Sequence, residues 1–398
     1  MTPWVEKKVG DLIDGLAAGV SVRSRDGDLS RPAVLKTSAV ANGRVDFRET
    51  KAIIAADVSR AKCAPVRDSI VISRMNTPAL VGAVGYVETE EPGVFLPDRL
   101  WIARSKRTDS TDMRWLNYAL GFGHVATSVR ELATGTSNSM KNIPKSRLLE
   151  LSLLVPSPDE QRAISTALAD VDHLIASLER LIAKKREIKQ GLMQELLSGR
   201  TRLSGFDNSW KSVDFKQMAM VVKDRVMPTS ASGRVVELEH IESGTGRLLG
   251  DADLRQSVSL KTRFKKDDVL FGKLRSYLRK YWLADRDGFC STEIWALRSL
   301  PGTCSEFLRY IVELESFVEA ASTAYGTHMP RADWTVVSRF ELAIPDEEEQ
   351  RAIAALLRDA DDEIAALERR LESAQAIKQG MMQELLTGRT RLTEEVAA

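Results

Sequence analysis

Glu160-Gln161-Arg162-Ala163-Ile164 opens a stretch that runs to Leu203 and returns as Glu349-Gln350-Arg351-Ala352-Ile353 through Leu392. The offset is 189 throughout, without a gap, and 27 of the 44 aligned residues are identical. The matched blocks include Ile-Lys-Gln-Gly (188–191 and 377–380), Met-Gln-Glu-Leu-Leu (193–197 and 382–386) and Gly-Arg-Thr-Arg-Leu (199–203 and 388–392). Chance does not produce such a match, so the chain is one unit written twice. Residues 1–156 and 204–345 are the two large segments that precede the copies, at 157–203 and 346–398.

The repeated segment reads as a long helix. In the second copy Ile353, Ala360, Leu367, Ala374 and Met381 recur every seven residues, and Leu357, Ile364, Leu371 and Leu385 fall four after them, with Lys378 the exception. The first copy places Ile164, Val171, Leu178 and Leu192 in one row and Leu168, Ile175, Ile182 and Leu196 in the other. Sustained spacing of this kind is a coiled-coil seam. Lys185 and Lys189 interrupt it, which predicts uneven pairing along the first helix. Prolines and acids at 156–160 and 345–349 suit helix starts, and Gly199 and Gly388 suit stops. Two such helices in one chain have each other as partners, and an antiparallel pair is the expected arrangement.

Composition bounds the rest. At 398 residues the chain holds two or three domains, and 43% hydrophobic with 28% charged residues is globular. No apolar run reaches the ~18 residues of a membrane helix, and the first ten residues lack the apolar core of a signal peptide. Cys63, Cys290 and Cys304 are too few and too scattered for a disulfide framework or a zinc site. Reduced, buried thiols and a cytoplasmic setting are therefore expected. Net charge is +1, with +5 on residues 1–156 and −6 on residues 346–398.

The two large segments share an order of landmarks while most residues between them differ. Val66–Arg74 and Phe264–Lys273 each give a polar turn, a short apolar strand and a basic residue. Trp101-Ile102-Ala103-Arg104-Ser105 and Trp295-Ala296-Leu297-Arg298-Ser299 match as buried strands. Helical stretches follow at Met113–Leu120 and Cys304–Ala320, then Gly-Thr at 135–136 and 326–327, then strands ending at Pro156 and Pro345. The expected fold is mixed α/β: two modules of one scaffold carrying different surfaces, separated by the helix pair, with a pseudo-two-fold internal repeat.

These features resemble the specificity subunit of a type I restriction–modification enzyme. The resemblance rests on both copies of Glu-Gln-Arg-Ala-Ile and of Gln-Gly-(Leu/Met)-Met-Gln-Glu-Leu-Leu-(Ser/Thr)-Gly-Arg-Thr-Arg-Leu. It rests also on the run Asp268–Lys280 and on Cys290-Ser291-Thr292-Glu293-Ile294. It covers nearly the whole chain in the family's order. It implies a first target-recognition domain at 1–156, a helix at 157–203, a second recognition domain at 204–345, and a second helix with a tail at 346–398. Each domain would read one half of an asymmetric bipartite sequence in double-stranded DNA, with the helices setting the separation. The implied partners are two modification (methyltransferase) subunits and the restriction (motor/nuclease) subunits. They would carry S-adenosylmethionine, ATP and Mg, leaving no cofactor on this chain. The competing reading is a coiled-coil scaffold whose globular ends bind proteins.

No catalytic site is legible. There is no Pro-Pro for a methyltransferase tetrapeptide, Gly272-Lys273-Leu274 fails a phosphate loop at both ends, and the four histidines are isolated. The candidates for DNA contact are basic and small polar residues beyond strands. Lys273, Arg275, Tyr277, Arg279 and Lys280 form the richest basic and aromatic run. Lysine neutralises phosphate, arginine pairs bidentately with guanine, and aromatics stack. Gly272 is expected to turn the chain sharply at its start. The matching loop of the first module offers Arg74, Asn76 and Thr77, where Asn76 could pair with adenine or cap a turn. Gly135, Thr136 and Ser137, with Gly326 and Thr327, suit close backbone approach to phosphate. Replacing residues 1–156 with the segment from a related chain should change one half of the methylated motif in the host genome. A change in both halves would show that the modules do not read independently.

Overall fold

The computed structural model describes residues 3–28, 30–106, 111–135, 140–322 and 330–392. It divides into two compact units, Met1–Leu178 with Arg370–Ala398, and Glu179–Arg369. The two long helices span Pro158–Leu197 and Glu347–Leu385, so each unit holds a stretch of both. Among the described residues no helix is long and apolar enough to cross a membrane. Cys290 is buried, whereas Cys63 and Cys304 are only half-buried, and all three are free thiols.

In the first unit, strand Val5–Lys8 pairs antiparallel with Ser152–Val155, the strand that leads into the first long helix. The main sheet has six strands in the order Ile13–Ala18, Leu100–Ser105, Ser69–Ser73, Val84–Val87, Gly43–Val45, Val40–Ala41. Ser69–Ser73 is buried along its whole length, so it reads as a continuous apolar run instead of an alternation. Helices Met113–Gly121 and Gly123–Glu131 pack on this sheet, and Ile164, Leu168 and Leu385 of the long helices join the same core.

The second unit follows the same plan. Lys211–Asp214 pairs with Glu341–Ile344. Val269–Gly272 lies between Tyr281–Leu283 and Ile294–Ser299 in a four-stranded sheet that Ala219–Val221 completes. A five-stranded sheet runs Arg225–Val226, Lys261–Phe264, Gly288–Ser291, Arg234–Val236, Ala252–Asp253. The stretch read as one helix from Cys304 is two, Ser305–Glu313 and Glu315–Ser322, because Leu314 takes an extended backbone between them. Phe307, Ile311 and Phe317 of this pair pack with Leu196, Ile353 and Leu357 of the long helices.

Within each unit the helix stretches run antiparallel, as the expected pairing requires. In the first, Glu160 faces Arg391 at 2.6 Å and Asp172 faces Lys378 at 2.8 Å. In the second, Lys185 faces Glu363 at 2.7 Å, Lys189 faces Asp361 at 2.8 Å, and Arg202 faces Glu349 at 2.6 Å. The repeated motifs are the parts that make these contacts. Glu160 and Glu349 are buried carboxylates, each held by an arginine of the other copy's Gly-Arg-Thr-Arg-Leu and by an indole N–H, from Trp4 and Trp210 respectively. Gly199 and Gly388 take φ of +71° and +72°, and each lies against one of those indoles, Trp210 and Trp4. The buried amides of Gln161 and Gln350 donate to the carbonyls of Pro156 and Pro345 and accept from the backbone N–H of Asp112 and Cys304. Those two residues are the N-caps of helices Met113–Gly121 and Ser305–Glu313, so the repeated glutamine fixes where that helix of each module begins.

Leu168 and Leu357 occupy equivalent places in the repeat and both are fully buried. Leu168→Ala and Leu357→Ala should each lower stability by about 2–5 kcal/mol in urea unfolding. Hydrogen exchange should rise in the first unit for one and in the second unit for the other.

Candidate nucleic-acid interface

In both units the strand-end loop lies beside described residues that flank the Gly-Thr pair singled out from the sequence. In the first unit, Met75–Asn76 pairs antiparallel with Lys141–Asn142, and Thr134 bridges back to Asn142. Lys141 Nζ donates to the Gly135 carbonyl at 2.7 Å. Arg74, Asn76, Thr77 and Gly135 are thereby brought together, while Thr136 and Ser137 lie outside the described residues. Arg74 stacks over the Trp101 ring at 5.3 Å and donates from Nε to Asn142 Oδ1 at 3.3 Å. Asn76 is buried, donates to Ser73 Oγ at 3.1 Å and accepts the Thr77 N–H at 2.9 Å, so its amide is committed to the turn. Thr77 is exposed.

In the second unit the segment 273–275 lies against 330–332. Arg275 N–H donates to the Pro330 carbonyl at 2.9 Å, Ala332 N–H to the Lys273 carbonyl at 2.8 Å, and Leu274 bridges Arg331. Gly326 and Thr327 fall outside the described residues. The sharp turn is not at Gly272, which ends a strand in register with Ile294. Gly272 instead permits close packing, since a Cβ there would meet Leu238 at 2.9 Å and Lys280 at 3.3 Å. The chain turns at Arg275 and Arg279, both in the left-handed region with φ of 53° and 50°. They bracket the short 3-10 turn Ser276–Leu278.

This turn sorts its residues into two kinds. Ser276 is buried beneath it, with Oγ donating to the Ala321 carbonyl at 3.0 Å. Arg279 is ion-paired to Glu315. Lys280 Nζ donates to the carbonyls of Leu238 and Ile241 at 2.7 and 2.8 Å. Tyr281 and Trp282 belong to a buried strand. By contrast Arg275 and Tyr277 are exposed and Lys273 is half-buried. Neither Lys273 nor Arg275 has an ion-pair partner among the described residues. The result is a rigid support presenting two free cations and one aromatic ring.

Sequence reasoning missed a second polar feature, where each module meets the long helices. The Asp172 carboxylate accepts the Tyr118 hydroxyl at 2.6 Å and faces Lys378 at 2.8 Å and Arg44 at 3.2 Å. The Asp361 carboxylate accepts the Tyr310 hydroxyl at 2.9 Å and faces Lys189 and Arg309, each at 2.8 Å. Lys189 also reaches Glu313 at 2.8 Å. Burial raises the Asp361 carboxyl, but Arg309 and Lys189 outweigh it and hold the group below the ordinary carboxylate range. Burial first, then the carboxylate, raises the Tyr118 phenol. The signal was present in the sequence as lysines that break an apolar seam. Among the described residues there is no cluster of groups able to hold a metal ion.

This fold is similar to that of solved type I specificity subunits. The chain is similar along 97% of its length to the type I restriction–modification S subunit of M. genitalium, with a TM-score of 0.61, 17% identity and 99% of that chain covered. A second structure, from work on assembly and conformational transition of the type I system, gives a TM-score of 0.54 at 15% identity, covering 97% of this chain and 98% of that one. In sequence, the chain is 23% identical over 287 residues to the Escherichia coli EcoDI specificity subunit, a match to 63% of this chain and 64% of that protein. It is 19% identical over 98% of its length to a Methanocaldococcus jannaschii protein described as the specificity subunit of type I enzyme MjaX, of which 94% is covered. No model of a known protein family matches the chain.

The division of the turn is directly testable by thermal unfolding. Lys273→Ala and Arg275→Ala should change stability by no more than about 0.5 kcal/mol, as surface changes do. Lys280→Met should lower the melting temperature, because the part-buried carbonyls of Leu238 and Ile241 each lose a charged donor.

Proposed function

We propose that this chain is the non-catalytic DNA-recognition subunit of a type I restriction–modification complex. Each unit reads one half of a bipartite target, and because the modules differ in their surfaces the target is asymmetric. The helices position two methyltransferase subunits and the restriction subunits, and those partners carry the chemistry and its cofactors. The observation that supports this best is a pair of cations, Lys273 and Arg275, with no ion-pair partner among the described residues, on a turn braced from behind by Ser276, Arg279 and Lys280. Preorganised cations on a rigid support suit a groove lined with phosphates and base edges.

In this reading Lys273 neutralises a phosphate, Arg275 pairs with a guanine and Tyr277 packs on the sugar or base. Arg279 and Lys280 act beneath them as supports. In the first module Thr77 and the Gly135 backbone approach phosphate, with Arg74 and Asn76 shaping the loop from behind. Thr136, Ser137, Gly326 and Thr327, outside the described residues, are proposed as DNA contacts on their sequence alone.

The test is affinity of the assembled methyltransferase for singly substituted duplexes at two salt concentrations. Lys273→Ala should weaken binding to all sequences alike and lower the salt slope by about one unit. Arg275→Ala should cost about 1–3 kcal/mol on the matched target and relax one position of the second half only. Binding that ignores DNA sequence altogether, for wild type and variants alike, would favour a protein scaffold instead.

A further inference from the structure

The cluster of Tyr, Asp, Lys and Arg occurs in both units, but its members have different origins. Asp172 and Asp361 are repeat equivalents, as are Lys189 and Lys378. Tyr118 and Tyr310 each stand six residues after the cap residue that the repeated glutamine holds, Asp112 and Cys304. The arginines are unrelated. Arg44 comes from strand Gly43–Val45, and Arg309 from helix Ser305–Glu313. Two modules with little sequence in common thus bring the same cation to the same carboxylate from different elements.

Cohesion alone does not require this chemistry, since well-packed apolar residues would hold a module as firmly or more so. A polar network whose groups pair with one another does something packing does less well. It favours one geometry, because a slip leaves the buried Tyr hydroxyl or the largely buried Asp carboxylate without its partner. In each unit the network joins three bodies: the module through Tyr and Arg, one helix through Asp, and the other helix through Lys.

We propose that this joint is a positioning device for recognition. It fixes the angle at which each module is held on its helices, and so the register in which that module meets its half of the target. The inference rests on the DNA-reading function proposed above. Tyr118 and Tyr310, with Lys378 and Lys189, are positioning residues that touch no base.

The probe is a pool of random-sequence duplexes, bound by the full chain assembled with the methyltransferase subunits of the same host and sequenced after selection. Tyr310→Phe and Lys189→Met should weaken preference at the second half-site about tenfold, the worth of one mismatched base pair, and leave the first intact. Tyr118→Phe should do the reverse, and Lys189→Arg, which keeps the charge, should behave as wild type. Unchanged preference at both halves, or equal loss at both, overturns the proposal. A wild type that selects no bipartite sequence defeats the DNA reading itself. In that case amide exchange decides the joint without DNA: Tyr310→Phe should speed exchange in Ser305–Glu313 and leave Met113–Gly121 unchanged, and no difference overturns it.

Discussion

A buried carboxylate at the head of each long helix, Glu160 or Glu349, organises everything around it. Each is almost wholly removed from water, at 6% and 0% exposure, and so needs full compensation. A guanidinium and an indole N–H supply it, and both come from segments remote in sequence. One contact therefore ties a helix start to the end of the antiparallel helix and to the opening strand of a module. Without it, the strand pairs Val5–Lys8 with Ser152–Val155 and Lys211–Asp214 with Glu341–Ile344 would lose a fixed origin. The glutamine one residue later extends the same logic to helices Met113–Gly121 and Ser305–Glu313.

The helices were legible because a seven-residue period and a repeat are properties of the sequence alone. The strands at Ser69–Ser73, Val269–Gly272, Leu100–Ser105 and Ile294–Ser299 were legible too, since each is a short apolar run between polar turns. Sheet order was not. Val235 lies beside Phe289 through a parallel pairing that no local pattern announces. The helix break at Leu314 was hidden because apolar spacing continues across it.

The candidate site was legible in its location and less so in its roles. Basic residues beyond a strand were visible as a run, but the run does not say which charges are already engaged. Lys280 is held by two carbonyls about 40 residues upstream in the chain, and Asn76 by its own turn. Those partners are set by tertiary packing. Lys189 and Lys378 show the converse. They looked like flaws in a seam, and each is the point where the seam stops serving only the helix pair and begins to hold a module.

The left-handed backbone at Arg275 and Arg279 has a further meaning. For an L-residue with a side chain this conformation lies roughly 1–2 kcal/mol above the right-handed one, and glycine would adopt it freely. The chain nonetheless places arginine at both positions. A turn shaped for stability alone would carry glycine there, so the guanidinium groups are retained against the preference of their own backbone. One of them closes on Glu315 and recovers part of that energy within the fold. The other projects into solvent, leaving this turn less stable than the same backbone could be, with its compensation still to come from whatever it meets.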